Sequence, residues 1–109
     1  MNWNVTSIST KRPIHKRYLK NVNYIVSDIT KKKKLNYLIK KNFNFVVNLG
    51  GYVDHINKKK TYNTHFLGLK NLVEIFIKKN IISFVQAGSS AEYGDTKSPH
   101  NESLNCNPK

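Results

Sequence analysis

One cysteine, Cys106, stands in 109 residues, so an intrachain disulfide is excluded. A lone thiol suits a reducing cytoplasm. No apolar stretch is long enough to span a membrane, and Met1-Asn2-Trp3-Asn4 has no signal-peptide pattern. Acid is scarce: six Asp and Glu face 19 Lys and Arg, a formal net charge of +13. Arginine is scarce too, with only Arg12 and Arg17 beside 17 lysines. Readers of nucleic acid lean on arginine for bidentate contacts, so a nucleic-acid role is disfavoured. The 15 asparagines that accompany the lysines point to a compositional bias spread over solvated faces. The rival is a small basic nucleic-acid-binding module using the lysine runs 31–34 and 58–60. The aromatic residues are not interleaved with those runs. The histidines His15, His55, His65 and His100 are scattered, without the spacing of a metal site.

What is present alternates. Val5 to Ser9 and Val22 to Val26 are β-branched and read as strands, with a basic loop over 10–21 between them. A helix is expected over 31–41, with Leu35, Leu38 and Ile39 on one face and Thr30 as its N-cap. Phe43 to Leu49 reads as a third strand, stopped by Gly50-Gly51. The clearest helix is expected over Thr61 to Lys79, where Tyr62, Phe66, Leu69, Val73 and Phe76 recur at spacings of three and four. Gly68 inside it implies a close packing contact. Ile81 to Ala87 is a fourth strand, and 88–109 reads as irregular.

Mostly apolar strands alternating with helices predict an α/β fold with a parallel sheet. Ligands of such sheets bind at the carboxyl ends of the strands. Three clusters of small residues fall there: Ser9-Thr10, Gly50-Gly51 and Gly88-Ser89-Ser90.

Four stretches, in order, resemble the extended short-chain dehydrogenase/reductases, the NAD(P)-dependent nucleotide-sugar epimerases and dehydratases. Asp28-Ile29 resembles the acidic pair that binds adenine. VVNLGG (46–51) resembles "ViHlAa/g". HFLGLKNLVE (65–74) resembles "NxxGTxNLLE", with His65 where asparagine is usual. FVQAGSSAEYG (84–94), followed by Ser98-Pro99 and Glu102, resembles "fVyxSSxxVYG" and "xPxxE". The resemblance runs from about Trp3 to the end. It implies a partial Rossmann-type sheet holding the equivalents of the second to fifth strands. It implies Ser89 as the catalytic hydroxyl, with Ser90 as second choice; the alternative is a turn that caps the strand end. Asp28, Ile29, Leu49, Gly50 and Gly51 are implied to bind the cofactor. For Asp28 the alternative is a helix cap, and for the glycines a plain turn.

NAD-preferring members of such folds carry an acid at the end of the strand before the ribose. Here the residues are Ser9, Thr10, Lys11 and Arg12; a hydroxyl and two cations fit a 2′-phosphate, which favours NADP over NAD. His55, in the loop after the third strand, is expected to be solvated rather than to approach substrate. The glycine-rich turn GxxGxxG is missing, and so is a usable YxxxK pair. Tyr93 and Lys97 have the spacing, but Gly94 and Pro99 oppose a helix. Tyr37 and Lys41 lie at the wrong edge of the sheet. The true pair is expected beyond Lys109, followed by a substrate domain. Without the first strand, two apolar strands should face a hole, where they invite a homodimer or a complementing chain, or close on each other in a rearranged sheet. A chain so built is expected to be inactive alone.

Overall fold

The computed structural model describes residues 3–54 and 56–108. Two parallel strand pairs form its frame. β1 (Val5–Ser9) pairs with β2 (Val22–Val26), Val5 opposite Val22 and Ser9 opposite Val26. β3 (Phe45–Asn48) pairs with β4 (Ser83–Gln86), Phe45 opposite Ser83 and Asn48 opposite Gln86. Among the described residues β1 pairs with β2 alone and β3 with β4 alone, so the strands do not close into one four-stranded sheet.

The two pairs nevertheless run side by side. The rings of Trp3, just before β1, and Phe45, which opens β3, meet at 5.8 Å between centroids. At the other end, Ile29 just past β2 lies against Gly50 just past β3. Both pairs therefore direct their carboxyl ends to the same side. Between β1 and β3 lies a slot of about 640 Å3, lined by Val5, Ser7 and Ile8 on one side and by Phe45, Val46 and Val47 on the other.

Two helical segments cover one face. α1 (Lys32–Leu38) buries Leu35. It is shorter than the expected 31–41, and Ile39 is buried just past its end. The residue at its N-cap is Lys31, with no side-chain bond; Thr30 does not cap it. The turn is held instead by the Asp28 carboxylate, which accepts the Thr30 amide at 2.8 Å. The second segment begins at Lys58 rather than Thr61. It passes through α2 (Lys58–Tyr62), a π-helical stretch (Asn63–Gly68), α3 (Leu69–Phe76) and a 3-10 turn (Ile77–Lys79). Asn57 caps its start by accepting the Lys60 amide at 3.1 Å.

The core joins Leu35 and Ile39 to Leu72, Ile75 and Phe76, with Ile8, Val46 and Phe84 packed onto it from the strands. Phe43 meets Phe76 edge to face at 5.8 Å. This departs from the stripe expected on the second helix. Of Tyr62, Phe66, Leu69, Val73 and Phe76, only Phe76 is buried, and Tyr62, Phe66 and Val73 are exposed. The reason is local. A π turn takes more residues than an α turn, so the faces before and after Asn63–Gly68 do not share one 3.6-residue period. The buried face is Gly68, Leu72, Ile75 and Phe76.

The strands are also barer than a doubly covered parallel sheet. Side chains alternate along a strand. Val46 and Phe84 turn to the helices, whereas Phe45, Val47 and Val85 point the other way and are 48%, 59% and 51% exposed. β3 and β4 are shorter than the runs 43–49 and 81–87 that were read as strands. In the tail, Ser90–Tyr93 forms a 3-10 turn and the Asn107 amide returns to the Glu92 carbonyl at 2.8 Å.

One ion pair crosses between the helical segments: the Lys32 ammonium donates to the Glu74 carboxylate. That hydrogen bond, helped by the charges of Lys32, Lys70 and Lys78 and opposed by partial desolvation, holds the Glu74 carboxyl below its usual range. Its contribution to stability is present above the ordinary carboxylate range and is lost as pH falls through the lowered value. The pair is solvent-exposed and so is screened by salt. Glu74→Gln should lower the unfolding midpoint at neutral pH and low salt. The difference from the parent should vanish at 1 M salt or after acid titration, as read by thermal denaturation. Leu35→Ala should cost about 2–5 kcal/mol by cavity formation, read by urea denaturation.

Candidate functional site

The carboxyl ends of the strands carry most of the polar work. After β1, the Ser9 hydroxyl donates to the Lys11 carbonyl, and the Ser9 carbonyl accepts the Ser27 amide at 2.9 Å. Thr10, Lys11 and Arg12 are exposed beside it. Ser27 is 3% exposed, and among the described residues its hydroxyl has no hydrogen-bond partner, which is costly for a buried hydroxyl. Asp28 follows, half-buried, with one carboxylate oxygen engaged by Thr30.

Ile29 is a structural pivot. Its side chain packs on Gly68, where an added Cβ would lie 2.7 Å from it, and reaches toward Gly50. Its backbone carbonyl accepts from the Asn71 side-chain amide at 2.9 Å. The helix, the end of β2 and the end of β3 therefore meet at this one residue. This explains the glycine inside the helix: only a bare Cα lets the helix approach Ile29.

At the end of β3, Asn48 is buried. Its side-chain amide donates to the Gln86 side-chain oxygen, Oε1, at 2.7 Å, and its own oxygen accepts the Gly50 backbone amide at 3.1 Å. It thus joins β3 to β4 and sets the turn that follows. Leu49 is 78% exposed. Gly51 lies under the His65 ring, where a Cβ would sit 2.8 Å from Cε1. The Tyr52 amide lies 3.0 Å from His65 Nε2.

Ser89 and Ser90, after β4, are both exposed. Ser89 is the N-cap of the 3-10 turn, its hydroxyl accepting the Ala91 amide at 3.2 Å. Among the described residues no hydrogen bond ties either serine to the Asp28–Gly50 cluster. Tyr93 and Lys97 are not on a helix: the 3-10 turn stops at Gly94, whose φ is +64°, and Tyr93 lies against the His100 ring. Tyr37 is exposed, with the Lys40 ammonium 4.5 Å over its ring. His55 lies outside the described residues. Among the described residues no group of three His, Cys, Asp or Glu could hold a metal, and no helix is long and apolar enough to cross a membrane.

Ser9, Asp28, Ile29, Gly50 and Gly51 therefore line the carboxyl edges of β1 to β3, with Ile29 and Gly50 brought together. Sequence reasoning missed Asn48, Gln86 and Asn71. For Asn48 a signal existed: an amide inside the apolar run FNFVVNL, at a place where burial forces it to find partners.

The chain matches the model of the NAD-dependent epimerase/dehydratase family over residues 2–109, and it belongs to that family. The two parallel pairs with their helices are a partial Rossmann-like α/β fold. No curated protein matches the chain.

Asn48→Ala should strand the Gly50 amide and the Gln86 side chain. A loss of about 1–3 kcal/mol is expected, read by denaturation. Gly68→Ala gains about 1 kcal/mol of helix propensity but must displace Ile29, at about 1–3 kcal/mol. The balance should fall on the destabilising side, and Gly68→Val should be worse.

Proposed function

We propose that this chain supplies the adenosine-binding half of an NAD(P) domain acting on a nucleotide sugar, and that it is inactive until a further parallel strand fills the slot between β1 and β3. The observation that carries this is the pair of facing inner edges on β1 and β3, with a slot of about 640 Å3 between them. An unpaired edge offers a row of backbone donors and acceptors, and two such edges in parallel suit one inserted strand. A strand joined to β1 in parallel needs a crossover, usually a helix. Phe45, Val47 and Val85 offer such a helix an apolar face.

In this reading the inserted strand carries the glycine-rich turn under the pyrophosphate. Asp28 receives the adenine amino group, and Gly50 and Gly51 let the backbone approach the dinucleotide. Ser9, Thr10, Lys11 and Arg12 hold a ribose 2′-phosphate, which favours NADP over NAD. Ser89, or Ser90 in the neighbouring register, holds the substrate oxygen, while the tyrosine and lysine that move the proton come from outside this chain. The added strand comes from a complementing chain or from further sequence.

Thermal unfolding with NADPH and with NADH tests the cleft. Ligand at about a hundredfold excess over Kd adds about 2.7 kcal/mol. A rise with NADPH that exceeds the rise with NADH, and that shrinks in Lys11→Glu/Arg12→Glu, is expected. Equal rises would remove the phosphate role, and no rise would overturn cofactor binding by this half. Separately, tethering an apolar strand with a glycine-rich turn to Trp3 should raise the midpoint sharply. An unchanged midpoint would reject the slot as a strand site.

A further inference from the structure

Tyr52 is held by a single ring nitrogen, and the geometry gives that nitrogen two partners. His65 Nε2 lies 3.0 Å from the Tyr52 amide nitrogen and 3.2 Å from the Tyr52 carbonyl oxygen. The amide can only donate and the carbonyl can only accept. One nitrogen cannot serve both at once. With Nε2 bare the ring accepts the Tyr52 N–H; with Nε2 protonated it donates to the Tyr52 C=O. A Cβ on Gly51 would lie 2.8 Å from Cε1 of the ring, so the bare glycine lets the ring sit this close to the turn. The ring is carried by the π-helical stretch Asn63–Gly68, a geometry found often at functional sites.

From this we infer that His65 is a positioning residue whose protonation re-seats the Gly50–Gly51–Tyr52 turn, exchanging an anchor on the Tyr52 amide for one on its carbonyl. The consequence for dinucleotide affinity rests on the reading of this turn as part of the cofactor cleft. The charged groups on the surrounding elements are few. Asp54, on the same loop, accepts the Ile56 amide and faces the Tyr52 hydroxyl at 3.5 Å. Lys60, on α2, lies 5.6 Å over the Tyr52 ring. Asp28, past β2, is engaged by Thr30. Among the described residues none of them forms an ion pair with the imidazole.

The test is a proton–nitrogen NMR titration of the full chain from pH 8 to pH 5, following the His65 ring and the Tyr52 amide together. The Tyr52 amide should shift with the same midpoint as the His65 ring. In His65→Phe, which keeps a ring against Gly51 but no hydrogen bond, that titration should disappear and Tyr52 amide exchange at pH 7.5 should quicken about tenfold, the equivalent of about 1.4 kcal/mol. In His65→Gln, donor and acceptor sit on separate atoms, so the amide should stay protected at both ends of the range. A Tyr52 amide that stays flat through the His65 titration, or that exchanges at the parent rate in His65→Phe, overturns the anchor. NADPH stabilisation compared at pH 5.5 and 7.5 separates the two readings. Equal stabilisation while Tyr52 titrates overturns the link from anchor to cofactor. No stabilisation at either pH defeats the cofactor reading alone, and the NMR result still decides the anchor.

Discussion

Backbone groups at a strand edge must be paired, covered or wetted, and the two inner edges of this fold face each other, with no strand between them among the described residues. Much else follows from that gap. Parallel pairs cannot be closed by tight hairpins, so each pair here is joined through a loop or a helix and depends on packing from outside. The strands remain short, and several of their apolar residues remain in solvent.

The two pairs are joined mainly by the helical layer. Leu35, Ile39, Leu72, Ile75 and Phe76 form one apolar cluster that receives Ile8 from the first pair and Val46 and Phe84 from the second. At the carboxyl edge the tie is made by small contacts rather than by area. Ile29 seats on Gly68 and Gly50, and Asn71 holds its carbonyl. Asn48 fastens β3 to β4, and His65 fastens the turn beyond it. The same residues that hold the fold together thus shape the carboxyl edge of the strands. This is why Gly51 and Gly68, each pressed by a neighbouring side chain, matter for geometry and not only for flexibility.

The order of elements was legible because each strand is a short β-branched or aromatic run and both helical segments carry leucines at helical spacing. Asp28, Gly50 and Gly51 were legible as strand-end residues because turns follow apolar runs. The buried face of the long helix was not legible. Its sequence keeps a 3.6-residue stripe through Tyr62, Phe66 and Val73, but the π-helical stretch changes which side meets the strands. The partners of Asn48 and His65 were hidden for another reason: Gln86 meets Asn48 only when β3 and β4 pair, and Tyr52 meets His65 only when the π-helical stretch folds over the turn. Ser89, expected as the catalytic hydroxyl, caps its own turn in this structure.

By itself the sequence determined the family, the alternation of strand and helix, and the excess of positive charge, because each of these is written in local pattern and composition. Tertiary structure decided that the strands stay as two separate pairs around an open slot, that Ile29 becomes the pivot between them, and that one imidazole nitrogen lies between an amide and a carbonyl. Those outcomes depend on distances between residues far apart in the chain, which packing sets and local propensity does not.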